Sequence, residues 1–299
     1  MIYYSLLRYL VLGEIARFMM CYSNHFEQLV GPPIFIIGVA RSGTTWLLDI
    51  LDRHPLVTTV SESTVFSNVI PALMRKVADN QEYGLARIID REQMRFEARR
   101  LVQSLFSHAI GPEHRYLAEK SPSHIFDLEL IHEIFPEALL VHILRDGRDV
   151  AVSMRAAAKS WAPGWRSGFA RNVITCARTW RWGIHNVTKH RVLFGDNFLE
   201  IRYEELRADP QQGYRRLFDF ANIPYDEAIL KAIFVGTDFE HNYTPAEGGF
   251  RRGGRTGDWR RQMNLVQALA FNVVAGDVLI KTGYEDNRFW LPEPFYKNS

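Results

Sequence analysis

The chain has 299 residues, of which 47% are hydrophobic and 23% charged, and its formal net charge is +2. These proportions are those of an ordinary globular protein, and the near-neutral charge gives no electrostatic reason to expect a nucleic-acid partner. Two cysteines, Cys21 and Cys176, are too few for a disulfide framework, and no spacing of cysteine and histidine resembles a zinc site.

Residues 1–22 form an apolar stretch that is interrupted by Arg8, Glu14 and Arg17. These charges argue against a transmembrane helix, and the stretch lacks the basic start and cleavage site of a secretory signal. It predicts an amphipathic helix packed on the domain, with an interfacial helix at a lipid surface as the alternative. We therefore expect a cytoplasmic protein, with peripheral membrane contact through residues 1–22 as the alternative arrangement.

Farther along the chain, apolar runs alternate with helical patterns, which favours an α/β fold with a central parallel sheet and helices on both faces. Strands are predicted at 34–38, 57–60, 116–119, 138–144 and 198–203. Helices are predicted at 44–53, 64–78, 91–108, 124–134, 147–159, 170–190, 210–221, 225–234 and 262–281.

The organisation predicted from these elements is a single domain over residues 1–299, because no repeat or domain boundary stands out. It comprises a helical extension at 1–30, a motif-bearing core at 34–260 and a C-terminal helix at 262–281. Segment 160–169, with two tryptophans, predicts a loop or lid, and the glycine- and arginine-rich segment 241–258 predicts an irregular loop. Asp209-Pro210 predicts a helix start, and Gly283 is placed to end the last helix.

The first functional motif is I-F-I-I-G-V-A-R-S-G-T-T-W at 34–46, a buried strand followed by a glycine-bounded loop and a helix start. Helix N-termini bind anions because their N–H groups lack intrahelical partners and the helix dipole is positive there. Gly38 and Gly43 have the spacing of a nucleotide phosphate loop, but Thr44 stands where that loop has its lysine. The motif therefore predicts phosphate binding without ATP or GTP hydrolysis, with Arg41 as the cation.

A second anion site is predicted in A-L-L-V-H-I-L-R-D-G-R-D-V-A-V-S-M at 138–154. Arg145 follows a strand at the edge where open α/β sheets bind ligands, and Ser153 lies about two helical turns farther on. A guanidinium and a hydroxyl both suit a phosphate. The alternative is a solvated R-D-G-R surface turn. Two anion sites on one sheet indicate a ligand with two separated phosphate groups.

These motifs resemble the sulfotransferases that use 3′-phosphoadenosine-5′-phosphosulfate (PAPS) and release 3′-phosphoadenosine-5′-phosphate (PAP). R-S-G-T-T-W at 41–46 is similar to that family's 5′-phosphosulfate loop, and L-R-D-G-R-D-V-A-V-S at 144–153 to its 3′-phosphate motif. I-R-Y-E-E-L-R-A-D-P at 201–210 and R-G-G-R-T-G-D-W at 252–259 resemble its adenine segment and its late loop. The implied fold is that of the P-loop NTPases, and the implied activity is sulfuryl transfer from PAPS (EC 2.8.2.-).

The resemblance implies a set of donor-binding residues in this sequence. In the late loop Gly253 replaces the family's lysine, and Arg255 is expected to supply the missing charge. No metal is implied. The expected donor-binding residues are Arg41, Ser42, Gly43, Thr44, Thr45, Trp46, Arg145, Ser153, Tyr203, Arg252, Gly254 and Arg255.

The catalytic residues expected from this chemistry are Arg41, Lys120 and Glu62. Negative charge grows on the departing phosphate, so Arg41 and Lys120 are the expected cations. Pro122 occupies the place of the histidine base found in cytosolic family members, whereas Glu62 resembles the glutamate base of the tyrosylprotein and carbohydrate branches. His124 is the alternative base, and a helix-capping carboxylate is the structural alternative for Glu62.

Three further residues carry expectations. Trp46 is expected beside the adenine, with a core position as the alternative, and Trp259 is expected to be structural. Glu119 is expected to hold Lys120 or Arg41.

The expected acceptor is a hydroxyl of a sugar, glycolipid, tyrosyl group or natural product, and the oligomeric state stays open. The alternative functions are a P-loop-type small-molecule kinase and a non-catalytic PAP-binding protein.

Overall fold

The computed structural model describes residues 26–78, 87–238 and 254–290. The predicted N-terminal helix, most of the segment 241–258 and Arg252 lie outside these ranges. Within them, no helix combines the length and the apolarity needed to cross a membrane.

Five parallel strands form the central sheet in the order β2-β3-β1-β4-β5. They are β1 (Ile34–Ile37), β2 (Val57–Ser61), β3 (Tyr116–Lys120), β4 (Leu139–Leu144) and β5 (Phe198–Arg202). All five predicted strands are confirmed, and β1 lies at the centre, with Ile36 paired to Lys120 on one side and to Val141 on the other. Sequence-distant strands are neighbours here, so loops from distant parts of the chain meet at one edge.

The helices of the described residues are α1 (Thr44–Asp52), α2 (Ile70–Ala78), α3 (Arg91–Ser107), α4 (Leu128–Ile134), α5 (Gly147–Lys159), α6 (Val173–His190), α7 (Tyr203–Ala208), α8 (Pro210–Phe220), α9 (Glu227–Thr237), α10 (Trp259–Gln262) and α11 (Leu265–Lys281). Among the described residues, every helix except α7 and α10 falls close to a predicted position.

Both faces of the sheet are covered, as an α/β fold requires. Successive strand residues point to opposite faces. Phe35 and Ile37 therefore pack into one apolar cluster with α5 and α6, whereas Ile34 and Ile36 pack into another with α1 and α8. The central strand β1 consequently reads as an unbroken apolar run, and the polar groups that follow the strands lie at the sheet edge.

Several predicted boundaries are wrong in an informative way. The helix predicted at 124–134 is a 3₁₀ turn (Pro122–Phe126) followed by α4, and the helix predicted at 262–281 starts only at Leu265. Tyr203, placed at a strand end, is the first residue of the unpredicted helix α7. A turn of 3₁₀ helix, Pro163–Ser167, lies within the predicted loop 160–169.

Two predicted helix ends are confirmed by their hydrogen bonds. The Asp209 side chain accepts a hydrogen bond of 3.0 Å from the Gln212 N–H, and Pro210 begins the helix. Gly283 has φ of 71°, a left-handed conformation, and the next residue, Tyr284, donates its N–H back to the Leu279 carbonyl at 2.9 Å. This arrangement is typical of a helix that ends at glycine.

Candidate active site

A cavity of 570 Å³ lies at the carboxyl end of the sheet, where the loops after the five strands converge. Strand β1 lies between β3 and β4, so β2 and β3 lie on one side of β1 and β4 and β5 on the other. Such a reversal of strand order opens a crevice at the carboxyl end of an α/β sheet. The cavity is lined by, among others, Arg41, Gly43, Thr44, Thr45, Trp46, Glu62, Arg145, Ser153, Tyr203, Gly254 and Arg255. The fold therefore brings these predicted site residues together; Ser42 is buried within the loop.

The loop after β1 is shaped by Gly43, which precedes helix α1. Gly43 has φ of 110°, and a Cβ there would lie 2.7 Å from the ring of Tyr203, so a side chain is excluded by both strain and space. Because Gly43 is the N-cap residue and has no side chain, it leaves the first N–H groups of α1 available to a ligand. The loop is thus a backbone anion site next to the cavity.

Arg41 links the two predicted anion sites. Its backbone is left-handed, with φ of 75°, and its Nε donates a hydrogen bond of 3.1 Å to Oγ of Ser153. The guanidinium also lies 5.4 Å from the centre of the Trp161 ring. The cation of the first loop and the hydroxyl of the second motif are therefore neighbours within one cavity.

Arg145 ties together three loops at the same edge. It donates to the backbone carbonyl of Arg41 at 3.1 Å and to that of Arg255 at 2.9 Å, and its guanidinium stacks 4.0 Å from the Tyr203 ring. Only 8% of Arg145 is exposed, so the alternative of a solvated surface turn is wrong. Its buried Nε has no hydrogen-bond acceptor among the described residues, which leaves a donor for an anion.

The late loop is held over the cavity by two side chains. The Tyr203 hydroxyl donates to the carbonyl of Gly254 at 2.8 Å, and its ring meets the Trp46 ring edge to face at 5.7 Å. Asp149 accepts hydrogen bonds from the N–H groups of Gly257 at 2.7 Å and Trp259 at 2.9 Å. Burial raises the pKa of Asp149, against the opposing effect of the Arg145 charge.

Glu62 and Lys120 form an ion pair where β2 and β3 end. Lys120 Nζ lies 2.7 Å from Glu62 Oε1, and the Glu62 N–H donates to the Lys120 carbonyl at 2.7 Å. Lys120 is 2% exposed, whereas the Glu62 side chain is 57% exposed and lines the cavity. With φ of 54°, Glu62 sits in a left-handed conformation that is rare outside glycine, and the N-cap residue of the helical turn that follows is Thr64 instead of Glu62.

Behind this pair lies a buried polar cluster around Glu119. Its Oε1 accepts from the hydroxyls of Ser63 at 2.7 Å and Ser121 at 2.6 Å, and its Oε2 is 3.0 Å from His124 Nδ1. The expectation that Glu119 holds Lys120 or Arg41 is wrong, because it fixes the segment next to Glu62 instead. His124 is fully buried beside Phe66 and is not among the residues that line the cavity.

Trp259 is a core residue, as expected, with 1% of its surface exposed. Its ring and that of Trp290 enclose the guanidinium of Arg148, at 3.8 and 4.4 Å. Arg148 also donates to the carboxylates of Asp146 and Glu285. The second arginine of the R-D-G-R segment is therefore structural, whereas the first faces the cavity. Among the described residues, no three His, Cys, Asp or Glu side chains cluster as metal ligands.

Comparison with known proteins identifies the fold and the family. Residues 32–227 match the sequence profile of the Sulfotransferase family. The chain belongs to this family. The match covers the β1 loop, the Lys120 and Arg145 motifs and Tyr203, but not the late loop at Gly254 and Arg255, which also lines the cavity.

Relatives of this chain include proteins named for tyrosyl acceptors. Protein-tyrosine sulfotransferase 1 of Danio rerio is 30% identical over 206 residues, which cover 67% of this chain and 55% of the relative. Protein-tyrosine sulfotransferase A of Caenorhabditis elegans is 27% identical, covering 67% and 52%. Sulfotransferase 2B1 of Homo sapiens is 26% identical, covering 80% and 64%. The chain thus spans little more than half the length of the protein-tyrosine relatives.

Solved sulfotransferase structures share the fold over most of their length. Sulfotransferase STF9 from Mycobacterium avium has a TM-score of 0.55 at 15% identity, covering 89% of this chain and 81% of that one. Mouse sulfotransferase SULT7A1, complexed with PAP, has a TM-score of 0.53 at 17% identity, covering 89% and 93%. The P-loop-like α/β fold predicted from the motifs is confirmed.

Sequence reasoning missed several cavity residues. Asp149 lies inside the second motif, yet nothing in the sequence shows that it accepts from the late loop. Phe126 and Trp182 stack with ring centroids 4.5 Å apart and both line the cavity, although 56 positions separate them in the sequence. Phe126 belongs to the 3₁₀ turn Pro122–Phe126 and Trp182 to α6, and the packing of these two elements brings the rings together. No local sequence pattern could therefore have revealed the contact.

Proposed function

We propose that this sulfotransferase moves a sulfuryl group from PAPS to the hydroxyl of an acceptor and releases PAP. The observation that carries the proposal is the direct link between two anion sites: Arg41 of the phosphate loop donates to Ser153, and Arg145 donates to the Arg41 carbonyl. A donor with both a 5′-phosphosulfate and a 3′-phosphate suits this pairing better than a triphosphate does.

The donor-binding proposal assigns each end of the nucleotide to different groups. The helix start at Thr44 and Thr45, together with Arg41, would hold the 5′-phosphosulfate. Arg145 and Ser153 would hold the 3′-phosphate; the unpartnered Nε of Arg145 fits this role. The adenine would lie by Trp46 and Tyr203. From the late loop, Gly254 and Arg255 line the cavity and would close over the phosphate, with Arg252 assigned by motif alone.

In the proposed reaction, the acceptor oxygen bonds to sulfur while the bond from sulfur to the bridging phosphate oxygen breaks. The electron pair of that bond stays on the 5′-phosphate, and the acceptor proton passes to Glu62. Arg41, Lys120 and the N–H groups of α1 would stabilise the growing negative charge, and such prepositioned donors are usually the largest catalytic contribution.

Glu62 is the proposed base because it is the carboxylate that both lines the cavity and contacts Lys120. A base must come within hydrogen-bond reach of the proton it removes. His124 does not meet this requirement in the structure, since it is completely buried behind Glu119. The hydrogen bond from Lys120 orients the carboxylate of Glu62.

Donor identity can be tested by thermal stabilisation. A ligand that binds only the native state raises the melting temperature, and the rise grows with the logarithm of the ligand concentration above its Kd. We expect PAP to stabilise the chain at micromolar concentration and ATP with Mg²⁺ to do so far less, because Thr44 replaces the phosphate-loop lysine of kinases. Stabilisation by ATP with Mg²⁺ alone would favour a kinase and contradict the proposal.

Catalysis can be separated from binding with Glu62→Gln. Removing a general base typically lowers turnover by about 10²–10⁴-fold, so this variant should lose most transfer from ³⁵S-labelled PAPS while its Kd for PAP stays near wild type. Glu97→Gln is a matched control, because the Glu97 side chain is 55% exposed but lies on α3. Normal PAP binding with no transfer in the wild type would instead indicate a non-catalytic binding protein.

A further inference from the structure

The turn after β2 that carries Glu62 has an unusual backbone. Glu62 has φ of 54° and Thr64 has φ of 50°, so both are left-handed although neither is glycine. A β-branched residue such as threonine rarely adopts this conformation, and it persists only where surrounding contacts enforce it. Both residues line the cavity, so the contacts that enforce the turn also determine where the proposed base lies.

These contacts come from Glu119, the fourth residue of β3. Its Oε1 accepts hydrogen bonds from the Ser63 hydroxyl at 2.7 Å, from the Ser63 N–H at 3.3 Å and from the Ser121 hydroxyl at 2.6 Å. Oγ of Ser121 in turn accepts the N–H of Thr64 at 3.2 Å. One carboxyl oxygen therefore fixes both residues that follow Glu62, either directly or through a single hydroxyl.

Glu119 is itself held from behind, on the side away from the turn. It is 1% exposed, and its Oε2 lies 3.0 Å from Nδ1 of His124. The His124 ring packs edge to face against Phe66 and Phe35, with centroids 5.4 and 6.4 Å apart. Glu119 is not among the residues that line the cavity. It therefore acts on the site through the turn that it holds and not by contact with a substrate.

A second carboxyl group in the sheet shows what a purely structural contact looks like. Glu200 on β5 lies 2.9 Å from Nδ1 of the buried His142, is also absent from the cavity lining, and makes no hydrogen bond to the turn of Glu62. Burying a carboxyl group is costly unless its oxygens have partners. At Glu119 the partners belong to one short turn, the turn that carries the proposed base.

We infer that Glu119 is a positioning residue, which holds the turn of Glu62 so that the proposed base faces the acceptor. The inference rests on the proposed function, because it requires that Glu62 takes the acceptor proton. Misplacing a reacting group by about 1 Å can lower a rate about 10²-fold. Glu119 thus contributes to turnover without touching donor or acceptor.

Hydrogen exchange tests the positioning without any acceptor. Glu119→Ala removes the oxygen that fixes the turn, and we expect the amides of Ser63 and Thr64 to exchange at least about tenfold faster while those of β1 keep their wild-type rates. Glu119→Gln keeps an oxygen for the two hydroxyls and should exchange like the wild type. Glu200→Ala is the matched control and should leave the turn unchanged. Unaltered exchange at Ser63 and Thr64 in Glu119→Ala, or faster exchange throughout the sheet, would overturn the inference.

Turnover with two phenols separates misplacement of the base from general damage. In weakly alkaline solution 4-methylphenol keeps its proton and needs a base, whereas 4-nitrophenol is largely ionised and does not. We expect Glu119→Ala to lower kcat about 10–10²-fold for 4-methylphenol but less than about threefold for 4-nitrophenol, and Glu119→Gln to restore most of the loss. The Kd for PAP should stay within about twofold of wild type. Equal losses with both phenols would show a merely structural role.

The variant Glu62→Gln distinguishes this inference from the proposal on which it rests. Unchanged transfer to 4-methylphenol in Glu62→Gln would show that the base assignment is wrong, and the positioning role would fall with it. Loss of that transfer in Glu62→Gln but not in Glu119→Ala would keep the base and refute the role of Glu119. In the double variant, Glu119→Ala should add less than about threefold to the loss, because residues that act as a unit are not additive.

Discussion

The ammonium of Lys120 lies 2.7 Å from Oε1 of Glu62 and joins a residue that is almost fully buried to one that faces the cavity. The two are brought together by the parallel pairing of β2 with β3, in which Ser61 is opposite Lys120. The following residue, Glu62, then donates its N–H to the Lys120 carbonyl. The position of the proposed base is thus set by sheet register as well as by charge.

Lys120→Met should separate the role of the ammonium from that of packing. The methionine fills much of the same space, and the carboxylate left behind is solvated, so we expect little loss of stability. Turnover should fall by about 10²–10³-fold because a cation beside the leaving group is lost, with less than about threefold change in PAP affinity. Single-turnover kinetics and calorimetry measure the two quantities. Equal losses in both would show that Lys120 acts in donor binding instead.

Asp149→Asn should weaken binding of the 3′-phosphate specifically. Asp149 accepts two backbone N–H groups from the late loop, at 2.7 and 2.9 Å, and an amide can replace only one of these acceptors. We expect the Kd for PAP to rise about tenfold while that for AMP changes less than about twofold. Calorimetry with both nucleotides measures the difference, and Asp219→Asn is an exposed control. An equal rise in the Kd of PAP and of AMP would instead place the late loop next to the 5′-phosphate.

Arg148→Met should destabilise the fold strongly. Arg148 is 1% exposed, donates to Asp146 and Glu285, and lies between two tryptophan rings. Its removal leaves two carboxylates facing each other, a change that costs about 3–5 kcal/mol of unfolding free energy in buried pairs. Urea denaturation measures the change. Arg95→Met, which removes an exposed pair 3.8 Å from Glu92, should cost less than about 1 kcal/mol. Similar values for both would contradict a structural role for Arg148.

His54 should make stability depend on pH. Burial lowers its pKa from 6.5, against the raising effect of its hydrogen bond to the Pro224 carbonyl. The unfolded chain therefore binds the proton more tightly than the native one, so stability falls as the pH drops below about 6.5. His54→Gln keeps a donor for Pro224 but does not titrate. Urea midpoints between about pH 7 and about pH 5 should fall more steeply for the wild type than for this variant; parallel curves would exclude His54 as the cause.

The site motifs were readable from the sequence because their chemistry is local. A strand, a glycine-bounded loop and a helix start within thirteen residues are enough to build an anion site. Gly43, the residue before the helix, has φ of 110°, a conformation that glycine adopts readily. Arg145 and Ser153 lie eight positions apart on one strand–helix unit, so their relation also follows from the sequence. The central strand β1 was found because burial on both faces makes it a continuous apolar run. The outer strands are only partly buried and also carry polar residues, Thr58 and Thr59 in β2 and Glu200 in β5.

Relations between distant segments could not be read in this way. Glu119 was expected to hold Lys120 or Arg41, but adjacent strand residues point to opposite faces, and it bonds to Ser63 and Ser121 instead. Tyr203 was placed in a strand, although β5 ends at Arg202 and the tyrosine begins a helix beside the late loop. In both cases the partner is supplied by another part of the fold.

By itself, the sequence determined that this chain would form an anion-binding α/β domain, because apolar periodicity and helix-start chemistry operate over a few residues. The tertiary structure alone decided which side chains share the cavity. The strand order β2-β3-β1-β4-β5 places Glu62 against Lys120 and Arg41 against Ser153, and helix packing sets Trp182 on Phe126. These contacts depend on the burial of whole sheet faces, a property that no short segment carries.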